Sequence, residues 1–313
     1  MLSRPRNVAL ATKRLYHPCI SEYAVNSSIS AVIVSILGTP LVAVAQDENP
    51  ETGLSETTSS RPIAVDKQGY SILDPTPREL WRPMVADRPD FTESPYTVDA
   101  GAIQIETSFV DYARGGGAEA WAVAPTNLKV GLLNDVDLQF VFDPYLHVDD
   151  GAGSQDGFGN VQFRLKINLW GNDGGDSAFA IMPFIQLPTA SDGLGSDHVE
   201  GGMIVPFAVN LTEGIGLGLM FETDFVYDEM DAGYDTEFIG TGALGFDLTD
   251  RLGAYVEGIA ISSTDSDVDF QGILGLGITY GISENMVLDA GVNLRLTGDV
   301  DDVNLFTGIT FRF

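Results

Sequence analysis

The stretch VNLFTGITFRF (Val303–Phe313) ends the chain and decides how the rest is read. Counting back from the end, Phe313, Phe311, Ile309, Thr307, Leu305 and Val303 form one set. Arg312, Thr310, Gly308, Phe306 and Asn304 form the other. This is the period of a β-strand, whose successive side chains point to opposite faces. A frayed terminus gains little from a final aromatic residue. A strand with one face in hydrocarbon and one in water gains a good deal.

The same alternation recurs upstream. In NVQFRLKINLW, Val161, Phe163, Leu165, Ile167 and Leu169 fall on one side, and Gln162, Arg164, Lys166 and Asn168 on the other. TGALGFDL and MVLDAGVNLRL repeat the split. Twelve strands are predicted, at roughly 97–113, 119–133, 135–147, 158–171, 177–188, 198–211, 214–228, 235–248, 251–263, 267–281, 285–297 and 302–313. No helical spacing separates them, which excludes an α/β arrangement and leaves a sandwich or a barrel.

The connections choose between these. LLNDVDL, GNDGGD, NLTEGIGL, DLTDRLGAY and GISENMVL are mostly short and recur about every 34 to 39 residues, one hairpin per period. VDDGAGSQDG, TASDGLGSD, YDEMDAGYD, STDSDVD and TGDVDD are mostly longer and more acidic. The two kinds alternate strictly, so a closed up-and-down sheet collects short turns at one end and long loops at the other. Outer-membrane barrels have this build, with an even number of strands. A soluble β-sandwich would also alternate, but without this turn asymmetry. The fold expected is therefore an all-β transmembrane up-and-down antiparallel barrel of about 12 strands over residues 97–313. Phe311 and Phe313 would face lipid on the closing strand. The terminal aromatic resembles the signal read by the outer-membrane assembly machinery.

Of the 313 residues, 44% are hydrophobic, and the formal charge is −29. Residues 1–45 read as a signal peptide: Arg4, Arg6, Lys13 and Arg14, then ISAVIVSILGTPLVAVA, with Ala43-Val44-Ala45 as the cleavage pattern. Cleavage there removes the only cysteine, Cys19, and leaves 12 basic against 44 acidic side chains, a balance of −32. Such a surface excludes nucleic acid and anionic lipid heads as partners. Residues 46–74 read as a flexible linker. Residues 75–96 carry five prolines between Asp74 and Pro95 with Trp81, Met84 and Phe91, and read as a periplasmic segment or plug.

The stretch ADRPDFTESPYTVDAGAIQIETSFVDYA (Ala86–Ala113) resembles the opening of the outer-membrane family associated with the meta-pathway of phenol degradation. The strand pattern carries the resemblance to residue 313. It implies an outer-membrane channel or transporter for small solutes, with aromatic or hydrophobic compounds as the class its name suggests, and brings no catalytic motif or cofactor with it.

The residues themselves point the same way on catalysis. After the leader only His147 and His198 remain, both at outer strand ends, and no Gly-x-Ser-x-Gly is present. An outer-membrane enzyme acting on lipids and a structural or adhesin barrel are the alternatives weighed. Glu222 and Asp224 share a strand face, as lumen acids do. VDDGAGSQDG lacks the spacing of a calcium loop, so no metal site is expected. The alternation instead nominates pore-lining residues: Glu106, Lys129, Asp137, Arg164, Lys166, Glu222, Asp224, Glu237, Glu257, Asp289 and Arg295. Lys129, Arg164 and Lys166 fall on strands two and four, and most of the acids on strands seven to eleven, which predicts a transverse field across the lumen.

Overall fold

The computed structural model describes residues 67–313. The signal peptide read at 1–45, and the linker as far as residue 66, lie outside these residues. The strands are β1 (Ile103–Gly115), β2 (Ala118–Val123), β3 (Thr126–Leu133), β4 (Val136–Phe142), β5 (Tyr145–Asp149), β6 (Ser154–Gly157), β7 (Val161–Trp170), β8 (Ser177–Leu187), β9 (Glu200–Thr212), β10 (Ile215–Asp228), β11 (Gly233–Asp247), β12 (Leu252–Ser263), β13 (Gln271–Ser283), β14 (Met286–Thr297) and β15 (Val303–Arg312). Three pairs of segments, β2 with β3, β4 with β5 and β6 with β7, are single barrel strands interrupted midway. Twelve antiparallel strands result. The last pairs with the first from Gln104↔Arg312 to Arg114↔Val303, which closes the barrel. Closure pairs both sides of every strand except the short outer β6, which pairs only with β5.

The closing strand behaves as its alternation demands. Leu305 and Phe313 are about half exposed on the outer face, while Gly308, Thr310 and Arg312 are buried on the inner one. Phe221, Phe225, Ile278, Tyr280 and Leu169 extend the same exposed apolar belt around the barrel. A continuous belt of this kind marks a lipid-facing surface.

The first strand starts at Ile103, six residues later than the sequence pattern suggests. Residues 97–102 alternate in hydropathy but are spoken for by side chains of the barrel. The Thr97 amide donates to Asn172 Oδ1 (3.1 Å) and the Val98 amide to Asp137 Oδ2 (3.0 Å). A turn through Gly101, at φ +78°, then feeds the chain into β1.

Residues 67–84 lie across the short-turn end. Ser71 bridges to Leu133, and a single 3-10 turn spans Arg78–Leu80. Fully buried Asp99 is held by Lys67 (3.2 Å), Arg82 (3.2 Å) and Arg312 (3.4 Å). Trp81 sits under the Arg312 guanidinium, 4.9 Å from ring centre to Cζ. Residues 67–74, assigned to the linker from composition, thus make specific contacts through Lys67 and Ser71. Their polar, turn-rich character is shared by a free linker and a segment that docks through hydrogen bonds.

Candidate functional site: a filled lumen

From Val85 to Val98 the chain runs inside the barrel, and both walls hold it with side chains. On the β1–β7 wall, Lys129 and Lys166 converge on one oxygen of Asp87, Lys166 at 2.6 Å. Glu106 pairs with Lys129 and accepts the Asp87 backbone amide (3.1 Å). Arg164 pairs with Glu93. Asp137 caps Val98, and Asn168 donates to the Pro95 carbonyl (2.8 Å).

On the opposite wall the contacts are of another kind. Glu257 accepts the Phe91 amide (2.9 Å), the Thr92 amide (2.7 Å) and the Thr92 hydroxyl (2.5 Å). The Thr92 hydroxyl also meets that of Thr241, 2.6 Å away. Tyr255 donates to the Pro89 carbonyl (3.3 Å). Arg88 reaches Asp289 through Nε (3.2 Å) and Nη2 (2.7 Å), and spans back to Ser108 on β1 through Nη1 (2.6 Å). Prolines suit this path, because an extended segment cannot join a sheet ladder where it has no N–H to give.

Ion pairs removed from water are held only when partner and geometry are both supplied. Burial alone would raise the Asp87 carboxyl, but Lys129 and Lys166 hold it well below the ordinary carboxylate range. Burial and the charge of neighbouring Asp87 raise Glu93 to about 7, with Arg164 and Lys166 pulling the other way.

Outside this segment lies a cavity of about 310 Å³. Its floor is the run Asp87–Phe91 with Glu93, and its outer boundary includes Val300 and Asp301. Glu222, Asp224 and Glu237 line it as carboxylates. One arc is apolar: Phe184, Ile204, Ile239 and Ile273 line the cavity and belong to a buried cluster with Met182, Met220, Ile259, Ile261 and Val300. Phe91 of the inserted segment packs against this cluster.

Of the eleven pore-lining residues read from sequence, Glu106, Lys129, Asp137, Arg164, Lys166, Glu257 and Asp289 touch the inserted segment. Glu222, Asp224 and Glu237 line the cavity beyond it. Arg295 lies at the outer end, paired with Asp302. The basic wall does not face the acids opposite across open space: Lys129 and Lys166 pair with Asp87, Lys129 with Glu106, and Arg164 with Glu93.

Sequence reasoning missed two sets of residues. It picked Trp81, Met84 and Phe91 from the segment for their apolarity and passed over Asp87, Arg88 and Glu93. It also missed the apolar arc. The signal was available, because in GGMIVPFAVNL and AYVEGIAISS both faces are apolar, as in a strand buried on two sides.

Of the two histidines, His147 bonds Asp156 through Nδ1 (2.8 Å), and His198 stacks on Tyr227 with ring centres 3.5 Å apart. At the outer rim, carboxylate oxygens of Asp228, Asp235 and Asp265 lie within 4.8 Å of one another.

A closed twelve-strand barrel with a lipid-facing apolar belt and a polar, segment-filled lumen is a transmembrane barrel of the bacterial outer membrane. The chain belongs to the family described as "Putative MetA-pathway of phenol degradation", whose model matches residues 86–313. Among solved structures, an outer membrane channel from Pseudomonas putida F1 shares its fold, with a TM-score of 0.54 and 14% identity over 73% of this chain and 100% of that one. The NanC porin (TM-score 0.46, 12% identity, 67% of this chain and 98% of that one) and the KdgM porin (0.43, 12%, 67% and 99%) are more distant. No curated protein matches the chain. None of these comparisons indicates an enzyme.

Proposed function

We propose that the protein is an outer-membrane channel for small solutes, gated from the periplasmic side by residues 85–98. The observation that carries this reading is the way the segment is held. It joins no sheet ladder inside the lumen and is fixed by side chains that can let go singly. A permanent filling would be expected to pack as a strand or an apolar core. The cavity above it supplies a waiting place on the outer side.

The same cavity supports small aromatic or hydrophobic compounds as the solute class. Phe184, Ile204, Ile239 and Ile273 offer an apolar surface, and burying an apolar ligand is worth roughly 25 cal/mol per Å². The carboxylates opposite favour neutral or cationic solutes over anions.

Planar-bilayer conductance and a panel of one-ring solutes, neutral, cationic and anionic, test both levels. Discrete conductance steps with faster passage of neutral and cationic rings are expected. Ile239→Asn should slow the neutral rings several-fold and leave ion conductance near its starting value. Absence of any step would sink the channel reading, and indifference to Ile239→Asn would sink the solute class alone.

A further inference from the structure

Between Val85 and Val98 the inserted segment carries a single basic residue, Arg88. The barrel meets its guanidinium with a site of matching shape. Nε and Nη2 donate to the two carboxylate oxygens of Asp289 on β14, at 3.2 and 2.7 Å, and Nη1 donates to Ser108 Oγ on β1 at 2.6 Å. One edge of the planar fork is thus paired side-on with a carboxylate, a geometry that a lysine ammonium does not reproduce.

The cation belongs to the segment, but everything that receives it belongs to the wall. Asp289 and Ser108 are 5% and 1% exposed. Between them runs β15, whose Gly308 pairs in register with Asp289 on one side and with Ser108 on the other. A Cβ at residue 308 would fall 2.5 Å from Arg88 Nη2 and 2.5 Å from the Thr107 carbonyl, so a glycine is what leaves room for the cation. Three register-matched residues on three adjacent strands therefore form one cradle: an acid, a gap and a hydroxyl. The carboxylates of Asp111 and Glu106 add attraction for positive charge.

The cradle adjoins the cavity, since Arg88, Glu106 and Asp111 line it. A solute waiting there lies beside a finished guanidinium site whose place is taken by the protein's own side chain.

We propose that Arg88 is an internal stand-in for a solute: the cradle of Asp289, Gly308 and Ser108 binds small guanidinium or amidinium compounds, and such a compound favours the open channel by filling the cradle when the segment leaves it. The proposal rests on the channel reading and names the solute class that works the gate. Linkage sets the size of the effect. With Arg88 seated, the compound binds the open state alone, so at ten times its dissociation constant the ratio of open to closed rises roughly 10-fold. With Arg88 removed, the cradle is vacant in both states, and a ligand of equal affinity for both shifts nothing.

Planar-bilayer recordings of the reconstituted full-length protein test this, with benzamidine added on the outer side. Benzylamine carries its charge on the same ring without the fork and is the control. Benzamidine should raise open probability saturably, by roughly 10-fold at ten times its half-effect concentration. Benzylamine should leave open probability near its starting value. Arg88→Gln and Asp289→Asn should each raise resting open probability and abolish the benzamidine response. They reach the cradle from segment and wall, so a folding defect in one leaves the other to decide. Equal responses to the two cations would overturn the fork-shaped site, as would a benzamidine response that persists in the variants. Block without opening, or no benzamidine response while Asp87→Asn conducts, would overturn the cradle and leave the channel reading standing. If neither the native protein nor Asp87→Asn conducts under any of these conditions, the channel reading fails and this proposal with it.

Discussion

The first four barrel strands and the other eight differ in almost every respect that matters to the lumen. β1–β7 carry the bases Lys129, Arg164 and Lys166, grip the charged side chains of the inserted segment, and include the three strands interrupted midway. β8–β15 run uninterrupted, carry the apolar arc, and hold the segment mainly through its backbone and Arg88. The difference teaches that one wall is specific and the other adaptable. A charge latch tolerates no substitution of Asp87, whereas amides received by Glu257 would be supplied by almost any sequence.

Removing the segment should have the largest effect on this contrast. Deletion of residues 47–95 should raise single-channel conductance by roughly an order of magnitude, since it empties both walls at once. Conductance equal to the intact protein would mean that the lumen is blocked by something else.

Asp87→Asn should come next, because it strikes the specific wall alone. It leaves the buried Lys129 with Glu106 and the buried Lys166 with Glu93, 3.6 Å away, as remaining acids, and breaking a buried ion pair costs about 3–5 kcal/mol. Release of the segment relieves that cost, so open events should become frequent. Glu257→Gln on the adaptable wall should have a smaller effect, since an amide oxygen still accepts; the ratio of open probabilities in the two variants measures the asymmetry.

Proton concentration gives a subtler probe. Glu93 titrates near 7 when inserted, against an ordinary 4.5 for a free glutamate. The inserted state therefore takes up a proton that a released segment does not hold between those values, and lowering pH from 8 to 6 should favour closure. Asp87 has the opposite sign: its depressed value makes insertion weaken only in acid, as pH falls below its ordinary 3.8. Opening on acidification from 8 to 6, read as open probability, would contradict this assignment.

The smallest expected effect belongs to the rim. The five long loops hold 15 acidic residues and no Lys or Arg, and Asp228, Asp235 and Asp265 crowd together there. A moderate cation preference is expected in reversal potentials. It should fade as salt rises, because the screening length falls from about 10 Å at 0.1 M to about 3 Å at 1 M. A preference unmoved by neutralising the loop acids would place selectivity deeper.

Much of this architecture was legible because a barrel in lipid imposes one simple rule. Alternation from Val303 to Phe313 gave the closing strand, and the alternation of short turns with long loops gave the topology. The inward set was legible too: Lys129, Lys166 and Glu257 follow from period two alone. What these residues touch was not, since lumen water and an inserted segment demand the same polar surface. Nothing in the sequence pairs Asp87 with Lys166, which lie 79 positions apart.

The gate can be tested in place. The hydroxyls of Thr92 and Thr241 lie 2.6 Å apart, one on the inserted segment and one on the barrel wall. Thr92→Cys with Thr241→Cys would tie the segment down under oxidation and free it under reduction. Solute flux through the reconstituted full-length protein should vanish when the pair is oxidised and return, reversibly, with a reductant. Equal flux in the two states would contradict the claim that residues 85–98 close this channel.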